Sequence, residues 1–214
     1  MRDREPVVQA RTRPAPAQRR STERRQMILS TAEKLLGEQG YEASTIRAIG
    51  ARAHIPVASV YHYFSDRHQV DAELLQRDMR ELDFLVSAVL AESDPPTLPD
   101  TVNAVFDLML DYFRRHPSGI ELWVKGRTAT ISKLVRAFDA TQAGKVRDLL
   151  VGRGLVRADL PLLVLQLAFE AADQLFHVAF RNSPDGDDTT IDEARRVVTA
   201  YLETYASRAA HRHG

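Results

Sequence analysis

The chain has no cysteine among its 214 residues, which excludes disulfides, thiolate metal sites and a redox-sensing thiol. It also lacks any uninterrupted run of about 18 apolar residues, so the sequence predicts no membrane span. Its N-terminal residues are charged and contain proline, without the apolar core of a secretory signal. These absences are compatible with a protein of a reducing cytoplasm.

The chain carries no net charge, yet its charged residues are unevenly distributed. Residues 1–65 contain 11 Arg or Lys and 6 Asp or Glu, which gives this part a charge of +5. Residues 66–214 contain 18 and 23, which gives −5. A basic head on an acidic body is typical of a DNA-reading module attached to a soluble sensor.

Sequence motifs for catalysis are missing as well. We find no nucleophile elbow, no glycine-rich phosphate loop, no metal-ligand pair and no cysteine nucleophile. The sequence therefore predicts no catalytic residue, no metal site and no cofactor, and indicates that the protein is not an enzyme.

The segment 45–70, TIRAIGARAHIPVASVYHYFSDRHQV, begins with the pattern of a short amphipathic helix. Thr45 is a good N-cap, because its hydroxyl can accept a hydrogen bond from an unpaired N–H of the first turn. Ile46 and Ile49 follow at helical spacing and predict an inner face. Gly50 is small enough to let a second helix cross closely, although a mid-helix glycine costs about 1 kcal/mol relative to alanine.

A second short helix is expected over residues 57–64, after Pro56 has ended the first. Val60 and Phe64 are four residues apart and predict its buried face. The side chains left near solvent can donate hydrogen bonds to phosphates and base edges: Ser59, Tyr61, His62 and Tyr63. This is the pattern of a helix-turn-helix that enters the major groove of DNA.

Residues 23–75 resemble the tetracycline-repressor (TetR) family of bacterial transcription regulators. The residues that carry the resemblance are Ala32, Leu35, Leu36, Gly40-Tyr41, Thr45-Ile46-Arg47, Ile49, Ala53, Ile55, Val60-Tyr61, Tyr63-Phe64 and Asp66-Arg67. The chain departs from the family pattern at His54, where glycine is usual in a turn that often needs a left-handed backbone, which His tolerates better than most residues. It also departs at Pro56, and at Val57 and Ala58 in place of polar and glycine residues.

The resemblance implies DNA-contacting roles for specific positions. Phosphate contacts are expected from Thr45, Tyr61 and Tyr63, groove contacts from Ser59 and His62, a phosphate or base contact from Arg47, and a backbone clamp from Arg67. Val57 and Ala58 depart from the family pattern, and their apolar side chains are candidates for contact with thymine methyl groups. The alternative for Tyr61 and Tyr63 is that they merely pack against the first helix.

Residues 1–21 have the composition of a disordered arm, with prolines and little apolar content. Their arginines, with Arg19 and Arg20 nearest the folded part, are candidates for DNA binding. The arm is either a solvated tail that adds non-specific attraction or a segment that places an arginine in the minor groove. Ser21 or Thr22 would then cap the first helix, which is expected to end near Glu38 with Gly40 as its C-terminal cap.

The rest of the chain shows no strand-like alternation, so an all-α fold is expected. A capping box at Asp66 and Gln69 opens a long helix to about residue 92. Further helices are expected at 100–115, 118–127, 128–153, 161–183 and 189–208. We divide the chain into the arm 1–21, a three-helix DNA-binding domain 22–68, and a ligand-binding and dimerisation domain 69–214.

Aromatic and apolar residues recur at helical spacing in the body, where plain packing is their first explanation. As a set they also resemble the family's sensor domain, which encloses a ligand cavity between helices. The expected wall residues are Met109, Phe113, Trp123, Phe138 and Phe169, joined by the polar residues Gln166, Glu170 and Asp173 as hydrogen-bonding anchors. Glu170, Asp173 and His177 lie near one helix face, so a polar dimer seam and a metal or catalytic cluster are alternatives.

By the same resemblance, helices 161–183 and 189–208 would pair with their copies in a homodimer. The sequence then predicts a cytoplasmic, nucleoid-associated bacterial regulator, by family default a repressor. It would bind a palindromic operator in double-stranded DNA and be released by a small apolar or aromatic effector, without a membrane partner. Two alternatives stay open: a helical small-molecule carrier or enzyme with an incidental basic head, and an architectural DNA-binding protein without a ligand.

Overall fold

The computed structural model of the protein describes residues 16–92, 95–126 and 128–207. Within these ranges the chain is helical throughout, and the only β-type pairing is an isolated bridge between Val156 and Ala206. The all-α expectation is confirmed. The helices are α1 Pro16–Gln39, α2 Ile46–Arg52, α3 Val57–Tyr63, α4 Arg67–Glu92, α5 Leu98–Arg115, α6 Pro117–Ile120, α7 Ala129–Gly152, α8 Leu162–Asn182 and α9 Asp188–Glu203, with a π-helical turn at Glu121–Lys125.

Helices α1, α2 and α3 form a small head around a shared apolar core that also receives the first turns of α4. The core residues of this head are Ile28, Ala32, Leu35, Leu36, Ile46, Ile49, Ile55, Val60, Phe64 and Val70. The expected cap of α2 is confirmed, since Thr45 Oγ1 accepts a 3.1 Å hydrogen bond from the N–H of Ala48. Gly40 follows α1 with a φ of +81°, as expected of a glycine that ends a helix.

The start of α1 corrects the expected boundary of the arm. The helix begins at Pro16, so residues 16–21 are helical and neither Ser21 nor Thr22 is its cap. Proline suits a first helical turn, and the residues after it are good helix formers. An ion pair of 3.3 Å between Arg19 and Glu23 adds a one-turn contact along this segment. The expected arm residues 1–15 lie outside the described residues.

The turn between α2 and α3 has the strained backbone that its sequence predicts. His54 has a φ of 54°, which confirms that the chain places a non-glycine residue in the left-handed region here. The close approach at Gly50 is confirmed too: a Cβ on this residue would lie 3.0 Å from the backbone oxygen of Ile55 and 3.4 Å from Val57 Cγ2. The two helices of the motif therefore cross at a distance that only glycine allows without displacement.

The body consists of α5 to α9 packed around the second half of α4. Helix α4 contacts α5 and α7, α8 packs between α7 and α9, and α5 lies against α9. Two expected helices have different ends. The segment expected as one helix at 118–127 divides into α6 and the π-helical turn, and α9 stops at Glu203 because the chain after it pairs with residues 155–157.

Helix α8 is long and apolar enough to cross a membrane by length and composition alone, with a mean hydropathy of 1.3. It carries Glu170 and Asp173 near its middle, and it packs along both α7 and α9. A core helix of a soluble domain meets the same criteria, so we interpret α8 as part of the helical body.

Candidate functional site

One face of α3 is open to solvent over its whole length. Val57, Ala58, Tyr61 and His62 are exposed, with 53% of Tyr61 accessible, and Ser59 beside them is half-buried. The opposite face is anchored by the fully buried Val60. This division gives a short, rigid helix that presents hydroxyl, imidazole and small apolar groups outward, which are the groups that read base edges and phosphates.

The start of α2 lies beside this face and is also exposed. The Thr45 hydroxyl accepts from Ala48 N–H, so its own hydrogen remains available to donate to a phosphate oxygen. Arg47 is exposed, and no hydrogen bond or ion pair engages its guanidinium within the part of the chain that the structure describes. Arg52, on the same helix, is instead paired with Glu38 at 2.7 Å.

Tyr63 and Arg67, both expected to contact DNA, pack against the protein. Tyr63 is half-buried and packs against the core, with its ring centre 5.3 Å from that of His62. Arg67 is 18% exposed, and its guanidinium stacks over the ring of Tyr41 at 3.6 Å. The structure therefore directs Arg67 into the protein, which corrects its expected role as a clamp on the DNA backbone.

The reason for the inward Arg67 is a buried carboxylate. Asp71 is almost fully buried on α4, and its Oδ2 lies 3.4 Å from Arg67 Nε and accepts a 3.2 Å hydrogen bond from the Tyr41 hydroxyl. Burial raises the pKa of Asp71, and the charge of Arg67 acts in the opposite direction. Removing Arg67 alone would leave the buried carboxylate without its nearest counter-charge and would destabilise the contact between the start of α4 and the end of α1.

Arg19 and Arg20 lie on the first turns of α1 and are exposed. They belong to an ordered helix and not to a flexible arm, so their reach is limited to the side of the head on which α1 begins. Whether they contact DNA stays a prediction.

The body encloses a cavity of about 60 Å³, here called the aromatic cavity. Its wall consists of Val86, Val105, Phe106, Met109, Phe113, Trp123, Phe138, Asp139, Gln142, Phe169, Ala172, Asp173 and Phe176. The rings of Phe113 and Phe138 meet Trp123 edge to face, with centroid distances of 5.4 and 6.3 Å. Edge-to-face packing is a favoured arrangement for aromatic side chains and gives the cavity a defined shape.

The structure brings six of the eight expected wall residues to this cavity: Met109, Phe113, Trp123, Phe138, Phe169 and Asp173. Asp173 accepts a hydrogen bond from the Trp123 indole N–H. Gln166 and Glu170 are absent from the wall, and Glu170 faces solvent. Asp173 turns inward while Glu170, three residues earlier, turns outward, because α8 is covered on only part of its surface.

His177 is separated from this cavity as well. It lines a groove between the end of α1 and the end of α8, together with Phe180 and Glu121. The three residues Glu170, Asp173 and His177 therefore do not converge on one point. Among the described residues no group of three His, Asp or Glu side chains is arranged to hold a metal ion.

Two polar wall residues, Asp139 and Gln142, were missed by the reasoning from sequence. They lie on α7 within the apolar stripe formed by Ile131, Val135 and Val146, and both are buried. Polar residues at positions that helical spacing assigns to the core are a signal that identifies such side chains in advance.

A second cavity, here called the apolar cavity, adjoins the first. Its lining surface is entirely apolar and comes from α5, α7, α8 and α9. Leu98 and Leu202 are among the lining residues. Val105, Phe106, Phe169 and Ala172 line both cavities. The two cavities therefore share part of their walls, and the carboxylate and amide groups line the aromatic cavity alone.

The head and the cavity are joined through the π-helical turn. The backbone N–H of Tyr41 donates a 2.8 Å hydrogen bond to Glu121 Oε2 at the start of this turn, and Trp123 in its centre is the residue held by Asp173. Gly126 follows, where a Cβ would lie 2.7 Å from the Leu122 oxygen and 3.0 Å from the Tyr41 ring. π-Helical turns are rare and occur frequently at functional sites.

A buried carboxylate with two more exposed acidic neighbours lies close to this junction. Asp78 of α4 is buried, and its Oδ1 lies 3.6 Å from Arg77 Nη2. Burial raises the pKa of Asp78 to about 6, with Glu33 adding to the effect and Arg77 opposing it. The fully buried Tyr112 donates a 3.4 Å hydrogen bond to Glu81.

Comparison with known proteins assigns both halves of the chain to described families. Residues 28–73 match "Bacterial regulatory proteins, tetR family", and residues 97–202 match "Tetracyclin repressor-like, C-terminal domain". Among curated proteins, the HTH-type transcriptional regulator HbdR of Aromatoleum sp. (strain CIB) is 42% identical over 48 residues, which span 22% of this chain and 21% of that protein.

Solved structures extend the likeness to most of the chain. A TetR-family transcriptional regulator from Streptomyces coelicolor is 32% identical, with a TM-score of 0.64, and the match covers 85% of this chain and 99% of that one. RolR in complex with resorcinol has the same TM-score of 0.64 at 17% identity, covering 91% and 93% of the two chains, and so shares the fold.

Proposed function

Since the chain belongs to the TetR family of bacterial transcription regulators, we propose that it is a ligand-responsive repressor that binds a palindromic operator as a homodimer. The observation that carries this proposal is the exposed face of α3 beside the exposed Arg47. Family and fold are those of regulators that act on DNA in the cytoplasm, and we place this protein in the bacterial nucleoid.

The proposed DNA contacts follow from exposure. Ser59 and His62 reach base edges, Val57 and Ala58 contact thymine methyl groups, and Thr45, Arg47 and Tyr61 donate to phosphates. Tyr63 contributes at most its hydroxyl, because its ring packs against the core. Arg67 is left out, since its guanidinium is engaged with Tyr41 and Asp71.

Dimerisation through α8 and α9 is supported by apolar side chains that a single chain leaves uncovered. Leu163, Leu167 and Val197 are exposed on these two helices, with half of Leu167 accessible. Leu163, Leu167, Glu170 and Gln174 follow at the spacing of one helix face, so Glu170 fits the polar seam of an interface. Two heads in such a dimer reach successive major grooves when they lie about 34–36 Å apart.

The effector we propose is a small apolar or aromatic molecule held in the aromatic cavity. The cavity volume of about 60 Å³ is smaller than such a molecule needs, given that a cavity of about 150 Å³ accommodates benzene. Binding must therefore displace wall residues, and a ligand that requires displaced walls favours a different arrangement of the helices. RolR, which has the same fold, is described in complex with resorcinol, a molecule of this kind.

The route from cavity to DNA is the π-helical turn. An effector that pushes Trp123 away from Asp173 moves the turn that also holds Tyr41 through Glu121. Helix α4 provides a second connection, because Val86 lines the cavity while Val70 is part of the core of the head. Displacement of either changes the separation of the two heads, and operator affinity falls.

The decisive experiment selects bound sequences from random duplex DNA on the purified full-length protein at two salt concentrations. Enrichment of a palindrome with half-sites about one helical turn apart is the expected result. The proposal would be overturned if no sequence were enriched and the binding disappeared at the higher salt concentration. Such binding would be non-specific electrostatic attraction of the head to DNA.

A further inference from the structure

Gln142 has a buried acceptor atom without a hydrogen-bond partner among the described residues. The residue lies in the middle of α7, is 2% exposed, and lines the aromatic cavity. Its Oε1 atom makes no hydrogen bond within the described ranges of the chain. Buried polar atoms are almost always paired, and an unpaired one needs a specific explanation.

The direction of the Gln142 amide is fixed by its other end. Nε2 donates a 2.6 Å hydrogen bond to Asp83 Oδ1 on α4. Lys145 donates to the same carboxylate, and both bonds lower the pKa of Asp83. An ionised carboxylate only accepts, so rotating the amide by half a turn would bring two acceptors together. Lys145 and Asp83 thus keep Oε1 as the free end of the side chain.

The other polar groups of the wall are already engaged. Asp173 accepts from the Trp123 indole, and Asp139, like Trp123 and Asp173, takes part in further interactions. The remaining wall is aromatic or aliphatic. Gln142 Oε1 is therefore the atom at which a bound molecule gains a polar contact without displacing an existing one.

We propose that Gln142 Oε1 selects the effector by accepting a hydrogen bond from a hydroxyl or N–H group on an otherwise apolar, ring-sized molecule. This inference rests on the proposed function and narrows its ligand class. The ring of the effector packs among Phe113, Trp123 and Phe138, and any further apolar portion extends past Phe106 and Phe169 into the apolar cavity.

The test compares two probes that differ by one group, p-cresol and p-xylene, in which a methyl replaces the hydroxyl. Trp123 is the only tryptophan of the chain and belongs to the cavity wall, so its fluorescence reports binding of either probe to the full-length protein. We expect p-cresol to bind at least about tenfold more tightly, because its hydroxyl donates the hydrogen bond that the buried Oε1 lacks, whereas p-xylene leaves Oε1 unpaired.

Gln142→Leu removes the acceptor at similar volume and should abolish or invert this preference. Asp83→Asn, at a half-exposed position, keeps Gln142 but no longer fixes its amide, and should reduce the preference without a large change in folding. The second variant keeps the test valid if the first folds poorly.

Equal binding of the two probes to the wild type would overturn the inference, as would a preference that is unchanged in both variants. Absence of binding of either probe up to its solubility limit would overturn it as well. Operator binding is measured in parallel without a probe. If the protein binds its operator but the probe experiment fails, only the ligand assignment is overturned. If the protein shows no sequence-specific DNA binding, the proposed function itself is overturned.

Discussion

The backbone N–H of Tyr41 and the carboxylate of Glu121 are 80 residues apart in sequence and form a hydrogen bond of 2.8 Å. Tyr41 belongs to the loop after α1, and Glu121 opens the π-helical turn of the body. This bond attaches the head to the segment that contains Trp123.

Glu121→Ala should lower the free energy of unfolding by about 1–2 kcal/mol, because the part-buried N–H of Tyr41 loses its acceptor. Glu121→Gln is the matched control, since an amide oxygen can still accept from Tyr41. Urea denaturation of the three proteins measures the difference. Equal destabilisation by Ala and Gln would show that the charge of Glu121, including its ion pair with Lys125, matters more than the bond to Tyr41.

Arg47 and Arg52 lie on the same helix, and Arg52 serves as the control for the contribution of Arg47 to DNA binding. Both are exposed on α2, but Arg52 is paired with Glu38. Arg47→Ala should weaken operator binding and reduce the slope of log K against log salt by about 2 in a dimer, one unit for each phosphate that is no longer neutralised. Arg52→Ala should change the slope less. Titrations at several salt concentrations test this, and equal slopes for the two variants would argue against a phosphate contact by Arg47.

Leu167→Lys should convert the dimer to a monomer at micromolar concentration, because it places a charge in the proposed α8–α9 interface. Operator affinity should fall with it, since one head alone makes half of the contacts. The control is Phe84→Lys on α4, where the ring is 71% exposed and lies outside that interface. Sedimentation analysis distinguishes the two, and a dimeric Leu167→Lys protein would place the interface elsewhere.

The raised pKa of Asp78 predicts how stability depends on pH. The folded protein holds a proton on this carboxyl up to about pH 6, whereas the unfolded chain releases it near pH 4. The folded state therefore binds more protons between these values, and stability falls as pH rises from 4 to 6. Asp78→Asn removes this dependence, so the variant should gain about 1–3 kcal/mol relative to wild type between pH 4 and pH 7. Chemical denaturation at both pH values measures the gain, and a difference that does not change with pH would contradict it.

His54→Gly should stabilise the head by up to about 1 kcal/mol. The left-handed backbone at φ 54° costs histidine about 1–2 kcal/mol, and glycine loses part of this gain through the larger freedom of its unfolded chain. His54→Ala serves as the control, because it removes the imidazole but keeps the Cβ in the same backbone region. If the glycine variant is no more stable than the alanine variant, the left-handed backbone at this position does not destabilise a residue that carries a Cβ.

Local chemistry made the head predictable from sequence. The Thr45 cap, the close crossing at Gly50 and the left-handed residue at His54 each depend on neighbours within a few positions. The cavity wall was predictable in large part because its aromatic residues at helical spacing resemble those of the family's sensor domain. The conclusions on the head required no placement of distant segments.

The features that sequence reasoning missed depend on distant partners. Arg67 turns inward because Tyr41 and Asp71 receive it, and Gln142 is oriented by Asp83, which lies 59 residues away. Glu170 was expected in the cavity and Asp139 was not, because helical spacing does not show which arc of α8 or α7 the neighbouring helices cover. The covered side of each helix depends on the angles at which the helices pack, and the local sequence pattern does not determine these angles.

The two ends of helix α4 contact different parts of the molecule. Val70 lies in the core of the head and Val86 in the cavity wall, sixteen residues further along, which is an arm of about 24 Å at the rise of an α-helix. A tilt of about 5° at the cavity end moves the other end by about 2 Å. In the proposed two-fold dimer the displacements of both heads would add, and we expect small movements of the cavity wall to change the spacing of the two recognition helices relative to successive turns of DNA.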